Sequence, residues 1–173
     1  MLPVTRHPTL KGGLVNRLLS IAVASLSLAL AMPATAGDAK GTVVYKGRTA
    51  DVKFAYLVTG PDAVTKATIR RLILSTRDLG AKIAGCSKMS CMDSDLDEGL
   101  EIDLVDGPRF NYWLVMNGQK IQYSGTEPKE SLVAKTDDAK KLAGTLRFDK
   151  TAASGPKVDV EFDAPLAKAV TTP

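Results

Sequence analysis

Apolar and polar residues alternate with a period of two through most of the chain, the mark of strands that turn one face to a core. Gly41 to Lys46 predicts a first short strand, and Lys46-Gly47-Arg48 a turn. From Arg48 to Thr59 the alternation puts Ala50, Val52, Phe54, Tyr56 and Val58 on one face. Thr49, Asp51, Lys53 and Ala55 fall on the other, and Gly60-Pro61-Asp62 ends the run. Thr68 to Ser75 is apolar and β-branched enough for a third strand, with no clear separation of faces. Leu100, Ile102 and Leu104 alternate with Glu101, Asp103 and Val105.

Arg109 to Met116 is the richest strand. Phe110, Tyr112, Leu114 and Met116 point one way, toward a core; Arg109, Asn111, Trp113 and Val115 point the other. Asn117-Gly118 predicts a tight hairpin, since both residues tolerate positive φ. Gln119 to Ser124 would be the return strand, with Ile121 and Tyr123 on one face. Ser131 to Lys135 reads as an edge strand. Leu142 to Asp149 turns Leu146 and Phe148 inward, and in Lys157 to Asp163 the alternating set is Val158, Val160 and Phe162. Residues after Pro165 read as a tail or a short helical end. One stretch breaks the pattern: Asp78 could cap a short helix with Leu79 and Ile83 on one face and Gly85 as its stop, although an irregular loop fits equally.

These elements predict an all-β fold of eight or nine short strands with one short helix, a mainly antiparallel sandwich or small barrel. No helical segment is long enough for the crossovers of a parallel sheet.

Residues 1–36 do not follow this pattern. Arg6, Lys11 and Arg17 precede an almost wholly apolar run, Leu18 to Met32, and Ala34-Thr35-Ala36 is a small-x-small cleavage signature. The segment reads as a signal peptide cut after Ala36, leaving a single β-rich domain over 37–173 in the periplasm or outside the cell. The apolar run is shorter than the roughly 20 residues a spanning helix needs, so no stable membrane anchor is expected after cleavage. The cut changes the charge picture. The whole chain of 173 residues has a net charge of +4, but the segment holds three of its 23 basic residues and none of its 19 acids. Twenty bases against 19 acids leave +1, which is no footprint for nucleic acid.

The one histidine, His7, also lies in that segment. A mature chain without it has no Ser-His-Asp triad, Cys-His pair, His-ligated zinc or histidine pH switch. Cys86 and Cys91 are predicted to form a structural disulfide, the expected state of a close pair in an oxidising compartment. No Gly-x-Ser-x-Gly elbow, phosphate-cradling loop or cofactor fingerprint is present, so neither enzyme activity nor a cofactor is expected. Paired carboxylates such as Glu101 and Asp103, or Asp159 and Glu161, read as keeping a sheet face wet; a histidine-free hydrolase using carboxylates is the least favoured function.

Two constellations remain. Asp93, Asp95 and Asp97 have the spacing of a calcium loop, but Glu98 and Leu104 occupy the positions of its turn glycine and bidentate glutamate, so a solvated acidic loop is the simpler reading. Arg109, Asn111 and Trp113 share a face on which stacking and hydrogen bonding would suit a sugar, peptide or planar ligand. The competing reading buries that face under a loop or the short helix. The expected function is a non-enzymatic exported binding or interaction module, its partner an envelope protein or a small ligand. The alternative is a small barrel carrying an apolar molecule, lined by Phe54, Tyr56, Tyr112 and Tyr123.

Overall fold

The computed structural model describes residues 35–91, 96–118 and 121–173. Nearly all of it is antiparallel β-structure. The strands are β1 (Gly37–Tyr45), β2 (Arg48–Pro61), β3 (Thr68–Ser75), β4 (Gly99–Leu104), β5 (Arg109–Val115), β6 (Tyr123–Pro128), β7 (Leu132–Asp137), β8 (Lys141–Asp149) and β9 (Lys157–Ala169). A short helix, α1 (Gly80–Gly85), follows β3, and 3-10 turns occupy Met89–Cys91, Lys129–Ser131 and Thr151–Ala153.

All nine strands form one sheet in the order β6-β5-β4-β3-β2-β1-β9-β8-β7. Chain neighbours pair as antiparallel meanders, and β1 joins β9 to unite the two ends of the chain. The sheet edges, β6 and β7, are linked by only the three residues Lys129–Ser131. Three residues reach about 10 Å at full extension. A flat sheet of this many strands would hold its edges nearly 40 Å apart at about 4.8 Å per strand. The sheet therefore has to curl, and it forms a half-barrel. Tyr112 on β5 and Phe148 on β8 record the curl: their ring centroids are 5.0 Å apart although the strands are six places removed.

The concave face carries the larger core. Val43, Leu57, Leu72, Leu100, Ile102, Phe110, Leu114, Leu146 and Val160 are fully buried there. A second core lies on the convex face, where Leu79, Ile83, Cys86 and Met89 cover Tyr56, Val58 and Ile73. The spacing of Leu79 and Ile83 docks α1 as expected, and the helix ends at Gly85. With a core on each side, β3 is apolar on both faces, which is why its pattern did not separate.

Four expectations need correction. In β2 the alternation breaks after Val52: Ala50 and Val52 point inward, but so do Ala55 and Leu57, while Phe54, Tyr56 and Val58 join the convex core. The break sits beside a register slip in β1 between Asp38 and Gly41. There φ of Gly41 is +142°, and a Cβ would stand 2.1 Å from the Asp159 carbonyl oxygen. Second, β9 does not stop near Pro165. Upstream it pairs with β1 and β8; beyond the proline it runs parallel to β2, with Leu57 opposite Leu166 and Thr59 opposite Ala169. Proline, lacking an N–H, stands where the strand changes partners.

Third, Asn117 and Gly118 both have positive φ, but they do not close a two-residue hairpin. Tyr123 pairs with Leu114, and the Gly118 N–H donates to the carbonyl of Asp97 at 2.7 Å, tying the turn to a neighbouring loop. Ile121 is therefore exposed and outside β6. Fourth, Glu101 and Asp103 are not wet: they are 5% and 4% exposed. The Arg71 guanidinium spans both Asp103 oxygens, at 2.6 and 2.9 Å, and so supports a buried carboxylate.

Candidate functional site

Strand pairing builds two polar rows across the convex face. One runs Arg71, Asp103, Asn111, Thr126; the other runs Ile73, Glu101, Trp113, Ser124. Arg109, Asn111 and Trp113 stand on this face because Phe110, Tyr112 and Leu114 take the concave core in alternation. The three predicted residues thus share one strand face, at alternate positions of β5. Arg109 is exposed, and Asn111 and Trp113 are half-buried. The Arg109 Nη2 donates to the Thr126 carbonyl at 2.9 Å, and the Thr126 hydroxyl donates to Asn111 Oδ1 at 3.2 Å. These bonds hold Arg109 and Asn111 on the strand face that also carries Trp113 and leave hydrogen-bonding capacity on both. The bidentate Arg71–Asp103 pair forms the β3–β4 end of the first row and braces it. Trp113 lies outside both apolar cores, so its ring supplies a flat apolar surface among polar neighbours.

Other candidates are dispersed. Asp93 and Asp95 lie outside the described residues. Asp97 is bound to Arg77, whose Nη1 is 2.7 Å from its Oδ2. Cys86 and Cys91 form a disulfide, with a Cα–Cα distance of 5.7 Å, that clasps the segment carrying α1 to the turn Met89–Cys91. Asp159 and Glu161 are exposed and paired with Arg147 and Lys135, a solvated charge ladder as expected. Ser154-Gly-Pro-Lys157 has the spacing of a serine–lysine dyad, which groups two side chains on a helix. Here Ser154 sits in a left-handed turn at φ 58°, and Lys157 Nζ is 3.2 Å from Asp149.

The aromatic candidates divide between the faces. Tyr112 and Tyr123 lie inside the curl with Phe148 and Tyr45. Phe54 and Tyr56 lie on the convex side, which removes them from any interior. The Tyr56 hydroxyl donates to Asp78 Oδ1 at 2.6 Å and accepts from the Leu79 N–H at 2.7 Å. Burial first, and the Asp78 carboxylate next, push its phenol above the usual tyrosine range. The same bond holds the Asp78 carboxyl below its usual value. Burial likewise raises the Tyr112 phenol.

Three side-chain bridges were not visible in the sequence because they span distant segments: Tyr56–Asp78, Glu127–Lys150 and Arg70–Asp137. The last two draw distant parts of the curled sheet together, β3 to β7 and β6 to the turn after β8. Glu127 is buried on β6 and lies 2.9 Å from Lys150 Nζ beyond β8. Compared with known proteins, the chain matches no family model, no curated protein and no solved structure.

Proposed function

We propose that the chain is an exported, non-enzymatic binding module whose recognition surface is the convex face of β4 to β6 around Trp113. The observation that carries this reading is Trp113 itself. A half-buried indole stands outside both cores, in line with Glu101 and Ser124, with Asn111 and Arg109 on the same strand face. Stacking on the ring and hydrogen bonds to Asn111 and Arg109 suit a ligand with a flat apolar side and polar edges, such as a sugar or a peptide. The half-barrel is read as a small barrel closed at the β6–β7 corner by the chain itself. The disulfide supports passage through an oxidising compartment. No helix among the described residues is long and apolar enough to cross a membrane. The proposed cut after Ala36 falls at the first residue of β1, so cleavage leaves every strand whole.

Two measurements test the reading. Mass spectrometry of the protein recovered from the periplasm should give residues 37–173 less two hydrogens. Calorimetric titration with a panel of neutral oligosaccharides and short peptides should find a binder. Trp113→Ala should weaken that binder at least about tenfold, roughly 1.4 kcal/mol, at nearly unchanged melting temperature. Unfolding of Trp113→Ala would show the ring to be core, and an uncleaved mass would contradict export.

A further inference from the structure

On the concave side the edge strand β7 approaches the inner strand β3 at Arg70. Its Nη1 bonds Asp137 of β7, and its Nη2 donates to the Asp138 carbonyl at 2.9 Å. Beside this strut lies a cavity of about 310 Å³, walled by Leu104, Phe110, Leu132 and Leu142. The walls come from β4, β5, β7 and β8, so the cavity exists only because the sheet is curled. Its volume is at the lower end of small-molecule sites.

Two features define what it would hold. Arg70 lines the cavity, and its Nε is buried without a hydrogen-bond partner among the described residues. A buried donor lacking an acceptor is costly, and an arginine N–H keeps its charge throughout. The charged residues of the lining also balance, Arg70 and Lys129 against Asp106 and Asp137. A net ionic ligand gains little there to offset its lost hydration, whereas a neutral molecule has far less hydration to give up.

We propose that this cavity is a binding site for a small, neutral, mainly apolar molecule bearing one acceptor oxygen, a ketone or ester, with its oxygen on Arg70 Nε–H and its hydrocarbon against the leucines. The site lies on the face opposite Trp113 and does not depend on the function proposed for that surface.

The test is NMR titration of the full mature chain with cyclohexanone, cyclohexane and hexanoate, reading the Arg70 Nε–Hε resonance and the methyls of Leu104, Leu132 and Leu142. Cyclohexanone should shift these signals saturably. Cyclohexane, which offers Nε–H no acceptor, should bind at least about tenfold more weakly, the worth of one charge-assisted hydrogen bond. Hexanoate should also bind more weakly, because its carboxylate gives up hydration against a lining of no net charge. Arg70→Lys keeps the charge, removes Nε and should erase the preference for the ketone over cyclohexane. Leu132→Trp fills the cavity without touching the strut and should abolish binding of all three. Equal binding of cyclohexane, tighter binding of hexanoate, or no saturable shift with any probe in the wild-type protein would each overturn the proposal.

Discussion

Tyr56 shows how much one side chain can settle. Its ring belongs to the convex core, and its hydroxyl serves two partners at the entry to α1. Tyr56→Phe keeps the packing but leaves the buried Leu79 N–H without its acceptor. The expected loss is about 1–2 kcal/mol in urea denaturation, with the sheet spectrum retained. Carboxylates supply a second residue-scale prediction. Asp78 is held low by the Tyr56 hydroxyl, Asp62 by the Thr65 N–H, and Glu161 by Lys135. Asp149 falls from 3.8 to about 2, chiefly through the Thr151 hydroxyl. Each binds protons less readily folded than unfolded, so its stabilisation is complete above the unfolded pKa and disappears as pH falls through the folded one. The melting temperature should be flat above about pH 5 and fall from about pH 4 toward 2. A flat profile down to pH 2 would contradict these assignments.

At the scale of elements, α1 is six residues long and too short to be stable alone. It persists because Leu79 and Ile83 dock on β2 and β3, and because the Cys86–Cys91 bond shortens the chain's freedom just after it. Replacing both cysteines with alanine closes no loop in the unfolded state and should cost about 2 kcal/mol in urea. The strands should survive that change; loss of the β-sheet circular dichroism would contradict the view of the disulfide as a local clasp. Element order was largely legible because a strand with one buried face advertises it. β5, β8 and the first half of β9 were readable to within a residue or two for that reason. The reading failed where a local rule was overridden from afar. The phase of β2 depends on a slip in β1, and the second half of β9 depends on β2 as a new partner. The Asn117–Gly118 turn is held by Asp97 rather than by its own hairpin. The Arg109, Asn111 and Trp113 face was legible as simple alternation. The buried Arg71–Asp103 pair beside it was not, since the two residues come from different strands whose register no local pattern encodes.

The molecule as a whole is governed by one constraint, a three-residue link between the two edge strands. That link curls the sheet and creates two unlike surfaces. On the concave side the rings of Tyr123 and Phe148 pack against Tyr112. The convex side divides in three. Over β8 and β9 it is a ladder of exposed ion pairs, such as Arg147–Asp159 and Lys141–Asp163, which contributes solubility more than stability. Over β2 and β3 it carries the α1 core, and over β4 to β6 the Trp113 rows. Binding through those rows requires that the indole be reachable in the mature protein. Trp113 is the only tryptophan, so its fluorescence reports on this face alone. Acrylamide quenching of the mature chain, native against urea-unfolded, is the most direct measurement. The account predicts a quenching constant that is clearly above zero and below the unfolded value, as fits a half-buried ring. Complete protection of the native emission would place Trp113 in a sealed interior and contradict the binding surface.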